Sequence, residues 1–393
     1  MRKAQPPFFA FLKSEQYRIT GSVPDYVLNE QRPQGGHLKL TYYEMKNLKY
    51  TIGADVSKKE IVCCLSTINE EQEVQVKATH KFPNSTSGFK SLLAWADKHI
   101  KETLPVNYVM EATGVYHEQF AWFLHHNDKT VSILLPNKAK SWLKAAGLKS
   151  KNDTIDAKGL AKIGAERKLE VWTPPSKNLL VLRDCTRRHQ ALNELHTITN
   201  NQLHAIQHSQ FQSPLVVKQL KGTLALIKKQ LKEMEKAMTD LISSDPILDQ
   251  HHKNITRIKG LSTLSFAVIV AETNGFALFK KVGALISYAG YDVIENQSGA
   301  HIGKTKISKK GNSRIRRVLH MPALCAVRED QPQFRNLYIR VYERTRIKMK
   351  GYVAVQKKLL SMVYFLWKKH CAYDPIFMVA DCYTQDSQRV QIT

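Results

Sequence analysis

Cysteine is scarce in this chain: six among 393 residues, none in a C-x-x-C pair. That spacing excludes a zinc finger and gives no sign of a disulfide framework. Cys63 and Cys64 stand side by side in an apolar run and read as small buried residues of a reducing compartment. Long hydrophobic runs are also missing. No stretch approaches the ~18 residues of a membrane span, and segments such as 131–135 and 266–271 have only the length of core elements. The N-terminus, with Pro6-Pro7-Phe8-Phe9, lacks the apolar run and cleavage site of a signal peptide. A cytoplasmic protein with no membrane partner is therefore expected. Acidic residues are few, 34 against 59 Lys and Arg, which leaves a net charge of +25. Such an excess points to a polyanionic partner, nucleic acid before a membrane surface. What remains is an ordinary globular composition, 43% hydrophobic, in a chain long enough for two or three cores.

Residues 1–44 carry no sustained periodicity and hold Pro6, Pro7, Pro24, Pro33 and the Gly35-Gly36 pair. They read as a flexible arm, and Met45 opens a run that looks like a natural beginning: either Met45 is the functional start or the arm is dispensable. Over 45–172 strand and helix patterns alternate. The runs 49–56 and 60–68 are β-rich around a Ser57-Lys58-Lys59 turn, and 74–82 alternates apolar and polar residues. Phe89, Leu92, Leu93 and Ala96 then repeat at helical spacing, 108–111 is a short strand, 117–126 a helix and 131–135 a fifth strand, with two helices after it. The order is β-β-β-α-β-α-β-α, an α/β domain of three antiparallel strands followed by βα units.

Pro174-Pro175 breaks the chain, and 173–250 is helical. There Leu220, Leu224, Ile227, Leu231, Met234, Met238 and Leu241 are spaced 4-3-4-3-4-3, a heptad seam. It predicts a coiled-coil hairpin that packs on itself or on a second subunit. A third, mostly helical domain covers 251–370, and 371–393 is a polar tail. The neighbours His251 and His252 cannot share a helix face and read as surface residues.

The segment 149–168 is the one to which chemistry attaches. Asp153 and Asp156 lie three apart at a helix start, on one face, flanked by Lys149, Lys151, Lys158 and Lys162. Alone, the pair reads as N-capping acids on a solvated helix. Asp55 near the end of the first strand and Glu111 closing the fourth change that. Those strands can lie side by side in an open sheet, and a following helix can bring Asp153 and Asp156 against them. Four converging carboxylates repel one another unless cations intervene. Hard oxygen ligands suit Mg²⁺ or Mn²⁺, and two such ions about 4 Å apart cleave phosphodiesters.

This order, with acids on the first strand, the fourth strand and the last helix, resembles the RNase H-like fold in its RuvC-like variant. G-A-D-V-S (53–57), M-E-A-T-G-V-Y-H (110–117) and K-N-D-T-I-D-A-K (151–158) are similar to the signatures of DEDD transposases of the insertion-sequence one-ten family, relatives of the Piv-type invertases. The third region resembles that family's second, helical transposase domain in I-K-G-L-S, Y-A-G-Y, N-Q-S-G-A-H-I-G-K and K-K-G-N-S-R-I-R-R-V-L-H-M-P-A-L. Where members commonly have a G-x-G turn, this chain has Gly260-Leu261-Ser262.

The resemblance implies a recombinase of insertion-sequence DNA: metal held by Asp55, Glu111, Asp153 and Asp156, and a serine nucleophile, by motif Ser298. It also implies a homo-oligomer, dimer or tetramer, in which acids and serine come from different subunits, and a structured noncoding RNA that selects donor and target. No base-reading motif is visible in the chain, which suits that delegation. On the residues alone Ser298 is a turn residue, and Ser308 and Ser313 compete for its role.

Lys304, Lys306, Lys309, Lys310, Arg314, Arg316 and Arg317 crowd fourteen residues without an acid. They read as backbone contacts to nucleic acid or as a solvated helix face. Tyr338, Tyr342 and Tyr352 among nearby arginines fit base stacking or core packing equally. Two other functions stay open: a RuvC-like junction endonuclease using the acids alone, and a non-catalytic nucleic-acid scaffold.

Overall fold

In the computed structural model, residues 26–31 and 39–374 are described, apart from 113, 146–151, 278, 296, 299–300, 304 and 329–330. The chain divides into two compact units, Met1–Pro174 and Pro175–Thr393.

Within 1–44, the segments β1 (Tyr26–Gln31) and β2 (Lys39–Glu44) pair as an antiparallel hairpin. The rest of the first unit is built on a five-stranded sheet. β3 (Asn47–Val56), β4 (Glu60–Asn69) and β5 (Val74–Pro83) run antiparallel, and α1 (Thr86–His99) leads to β6 (Val106–Glu111). Then come α2 (Glu118–His126), β7 (Thr130–Leu134), α3 (Pro136–Ala145) and α4 (Asp153–Glu166). The strand order is β5-β4-β3-β6-β7, with β6 and β7 parallel to β3. This is the RNase H-like arrangement that the pattern of elements predicts.

β3 and β4 are buried on both faces, and so read as near-continuous apolar runs rather than alternating ones. One face packs Ile52, Ala54, Tyr108 and Met110 against Phe89, Leu92 and Phe120 of α1 and α2. The other face receives α4. Cys63 and Cys64 are fully buried, one toward each face, and burial raises the pKa of both thiols.

The second unit is helical, with α5 (Lys177–Gln207), α6 (Pro214–Ser244), α7 (Pro246–Ile255), α8 (Thr263–Glu272) and α9 (Val282–Tyr288). A short β excursion follows, β8 (Val293–Ile294), β9 (Gln297–Ser298), β10 (His301–Ile302) and β11 (Lys306–Ile307). Four helices complete it: α10 (Ser313–Val318), α11 (His320–Arg328), α12 (Pro332–Thr345) and α13 (Lys348–Lys369). The seam residues Leu224, Ile227 and Met238 are buried, in a hairpin where α6 packs on α5. The apolar residues of α8 and the face of α13 bearing Leu359, Leu360 and Val363 form the centre of the core.

His251 is not a surface residue. It is 2% exposed and stacked 3.9 Å from Trp367, with His370 at 4.9 Å. An aromatic partner gives an imidazole a place in the core that sequence position alone does not reveal. The tyrosines pack on one another: Tyr338 stacks on Tyr342 at 6.0 Å and meets Tyr352 at 4.7 Å. None of the described helices is long and apolar enough to cross a membrane.

Candidate active site

Asp55 and Glu111 end adjacent strands. The parallel register matches Gly53 to Val109 and Ala54 to Met110, so the next step along each strand sets Asp55 beside Glu111, roughly 4.8 Å away across the ladder. Side chains alternate faces. Thr51, Gly53 and Val109 face α4, whereas Ile52, Ala54, Tyr108 and Met110 belong to the opposite core. Asp55 and Glu111 therefore both project on the α4 side. Each is half-buried and engaged with a neighbour.

α4 crosses this face antiparallel to β3. A Cβ on Gly53 would lie 2.2 Å from the Ala157 carbonyl and 2.2 Å from the Ala161 nitrogen, and one on Gly164 would strike Thr51 and Val109. The helix thus rests on the sheet through small residues at 157, 161 and 164. Lys49 on β3 closes its far end, donating from Nζ to the Gly164 carbonyl at 2.8 Å and the Arg167 carbonyl at 3.2 Å. A cation there suits the negative end of the helix dipole, and partial burial lowers the pKa of Lys49.

Because Lys49 holds the C-terminus of α4, its N-terminus lies where β3 and β6 end. Asp153 precedes Ala157 and Ala161 by one and two turns, and Asp156 likewise precedes Leu160 and Gly164. Both acids sit on the rows that face the sheet. They are not the cap: Asn152 accepts from the Ile155 backbone N–H at 2.8 Å. With capping met by Asn152, neither acid side chain has a hydrogen-bond or ion-pair partner among the described residues.

All four acids thus share one face and one end of the sheet, and their oxygens are the donor chemistry of a hard divalent cation. They do not form a closed ligand cage. Among the described residues, no three His, Cys, Asp or Glu side chains are grouped closely enough to hold a metal ion. Lys149 and Lys151, just ahead of the pair, lie outside the described residues.

In the second unit, the described residues around the loop-like stretch form nested strand pairs. β8 pairs with β11, and within that β9 pairs with β10, so Ser298 stands opposite His301. Ser298 is exposed. Ser308 donates its backbone N–H to Asp292 and accepts from the Lys310 backbone N–H, and Ser313 opens α10. Lys304 is outside the described residues. Lys306, Lys309 and Lys310 are exposed and make no ion pair among the described residues. The arginines are tied into the protein. Arg316 donates to the Ala289 carbonyl at 2.7 Å, and Arg317 pairs with Glu194.

Arg314 approaches a residue that the sequence reading passed over, Glu272. This carboxylate has 2% of its side chain exposed. It accepts from Arg187 through both oxygens, at 2.9 and 3.2 Å, and from Asn312 at 2.7 Å, with Arg314 at 3.8 Å. Burial pushes its pKa up, but the Arg187 and Asn312 hydrogen bonds and the two guanidinium charges outweigh that and hold it below the usual value. Asn312 also caps the basic helix α10 through its Oδ1. The available signal was one acid closing the otherwise apolar helix T-L-S-F-A-V-I-V-A-E. At the departed G-x-G turn, Gly260 has φ +99°, and Ser262 caps α8 by accepting from the Ser265 N–H at 3.2 Å.

An RNase H-like sheet followed in the chain by a helical unit defines the class of fold. A DEDD-type IS110 transposase model matches residues 52–211, and one described as "Transposase IS116/IS110/IS902 family" matches 252–339. The chain belongs to the IS110 family of transposases and is an enzyme that acts on DNA. It is 26% identical over 331 residues to the pilin gene-inverting protein of Moraxella lacunata, covering 83% of this chain and 98% of that protein. The protein of the same name from Moraxella bovis is 25% identical over the same length, with the same coverage. Thermus thermophilus RuvC, solved in complex with a Holliday junction substrate, matches 31% of this chain and 99% of its own at 9% identity and a TM-score of 0.24. At that score the fold assignment rests on the strand order and the family match.

Proposed function

We propose that this transposase cuts and rejoins DNA strands through a phosphoserine intermediate, using Asp55, Glu111, Asp153 and Asp156 as ligands for Mg²⁺ or Mn²⁺ and Ser298 as nucleophile. The observation that carries the reading is the shared face of the four carboxylates at the ends of β3, β6 and α4. Asp153 and Asp156 support it further, being freed from helix capping by Asn152. Bound cations would offset the repulsion among these carboxylates and stabilise the oxyanion that leaves phosphorus. The Ser298 hydroxyl gives up its proton, Oγ bonds to phosphorus, and the P–O bond to the neighbouring sugar breaks to leave a free hydroxyl end. The phosphodiester energy is retained in the Oγ–P bond, so attack by another strand's hydroxyl reseals the backbone and restores the serine.

The reading extends to inversion or transposition of the enzyme's own element in the cytoplasm, by a homo-oligomer. Exposed Leu195, Ile198 and Leu226 on the α5–α6 hairpin supply apolar surface for assembly. A structured noncoding RNA chooses the DNA partners, with Lys306, Lys309 and Lys310 as exposed backbone contacts. Two substitutions test the chemistry on supercoiled DNA carrying the element ends. Asp156→Ala should abolish cutting and joining while leaving DNA binding intact. Ser298→Ala should abolish joining and the covalent protein–DNA adduct, and cutting without exchange by that variant would favour a junction endonuclease. Sequencing RNA that copurifies with the protein tests the guide.

A further inference from the structure

A cleft of about 300 Å³ opens in the first unit between α3, α4 and the edge strand β5, outside the row of acids. Its apolar lining is Val74, Val76, Leu143, Trp142 and Ile163, and Lys158, Lys162 and Glu166 of α4 stand at its side. Val76 is 50% exposed. Half-buried Trp142 carries the Arg167 guanidinium over its ring, 3.9 Å from the centroid. A guanidinium in that position stacks on the indole and fixes its orientation. Lys158 is exposed, and Lys162 reaches Glu166 at 3.6 Å with 53% of its side chain exposed.

This combination is selective in its chemistry. A flat aromatic platform with an aliphatic floor suits a planar apolar face, and two flexible ammonium groups beside it suit phosphates. A lipid chain would leave the lysines without purpose, and a duplex presents no free base face. The volume is at the lower end for a ligand pocket, the scale of one nucleotide. Position matters as well. Lys162 lies six residues beyond Asp156 on the same helix, about 9 Å along its axis at ~1.5 Å per residue. Val76 is level with Thr51 through Ser66, four residues or about 13 Å before Asp55 on β3. With phosphates spaced ~3.4 Å along a stacked strand, the cleft is about three to four nucleotides from the phosphodiester that the acids handle.

We propose that this cleft holds one unpaired nucleobase of the strand being processed, stacked against Trp142, with Lys158 and Lys162 on its flanking phosphates. The inference rests on the phosphoryl-transfer reading of the acids and adds to it a reason for the strand to be unpaired near the break. The strand being processed is DNA; an unpaired base of an RNA offers the same stacking face, and the test below separates the two.

The test uses the full-length protein and fluorescein-labelled 15-mers, oligo-dT and oligo-U, alongside a mixed-sequence duplex of equal length, followed by fluorescence anisotropy over a range of salt. Trp142→Ala should weaken single-strand binding roughly 5- to 150-fold, the range for loss of one stacked base, and leave duplex binding unchanged. Trp142→Phe should recover most of the loss, which also guards against a folding defect in the alanine variant. Lys158→Gln and Lys162→Gln should each reduce the single-strand salt slope by about 0.7. A larger Trp142 effect on oligo-dT assigns the base to DNA, and on oligo-U to RNA. Equal loss on single strand and duplex, or no loss on either, overturns the stacking site. The cleavage defect of Asp156→Ala is measured in parallel. If that defect appears and Trp142→Ala binds normally, the stacking site alone fails. If Asp156→Ala cuts normally, the reading beneath it fails.

Discussion

Adding a single methyl group at Gly53 should silence the candidate active site without touching an acid. In Gly53→Ala the new Cβ would sit 2.2 Å from the Ala157 carbonyl oxygen and 2.2 Å from the Ala161 nitrogen. Ordinary contact begins near about 3.5 Å, so α4 must withdraw by about 1.3 Å. Both obstructing atoms are helix backbone, and no rotamer change relieves them. Overpacking of this kind costs about 1–3 kcal/mol, which for a unit of this size lowers Tm by about 2–12 °C. Asp153 and Asp156 ride on the displaced helix while Asp55 and Glu111 stay with the sheet. A misplacement of about 1 Å commonly costs about 100-fold in rate. Strand cleavage should therefore fall by about that factor at a temperature where circular dichroism shows the variant folded, and DNA binding should remain. A Gly53→Ala protein with the wild-type melting temperature and wild-type cleavage would refute the close seating of α4 and the common site derived from it.

Lys49→Met should lower Tm by withdrawing a donor from the Gly164 and Arg167 carbonyls, at about 1–2 kcal/mol, and cleavage should fall as the C-terminal anchor of α4 loosens. Glu272→Ala should cost about 2–3 kcal/mol; Arg187, 41% exposed, is partly rescued by water, so the figure lies below that for a fully buried pair. The Glu272 carboxyl titrates below its ordinary 4.5 in the folded chain. Its contribution is complete above that pH and lost as pH falls through the lowered value, so wild type should lose more Tm on acidification than Glu272→Gln. Chelation by EDTA should stop cleavage but not DNA binding, and Mg²⁺ or Mn²⁺ should restore it.

Much of the site can be located from residue spacing. The alternation in 74–82, the β-rich runs 49–56 and 60–68, and the helical rows of α4 are local consequences of side-chain geometry, and they suffice to order the elements. The D-x-x-D spacing likewise puts two carboxylates on one face without further information. Spacing could not say whether Asp153 was itself the cap, because Asn152 beside it is an equally good capping residue, and only the 2.8 Å bond to Ile155 decides. Nor could it reveal Glu272, whose importance lies in Arg187 and Asn312, eighty-five residues before it and forty after it. The burial of His251 is hidden from its local sequence for the same reason: it depends on Trp367, a residue far along the chain.

By itself, then, the sequence determined the charge and hence the polyanionic partner, the order of strands and helices, and the carriage of the acids on β3, β6 and α4. Each follows from composition or from periods of two and 3.6 residues. The tertiary structure alone decided that Asp55 and Glu111 lie side by side, because that depends on β6 docking parallel to β3 with Gly53 matched to Val109. It also decided that α4 lies antiparallel to β3 with its acids at the same end. That follows from the contact at Gly53 and the hold of Lys49, close-packed interactions between segments more than a hundred residues apart.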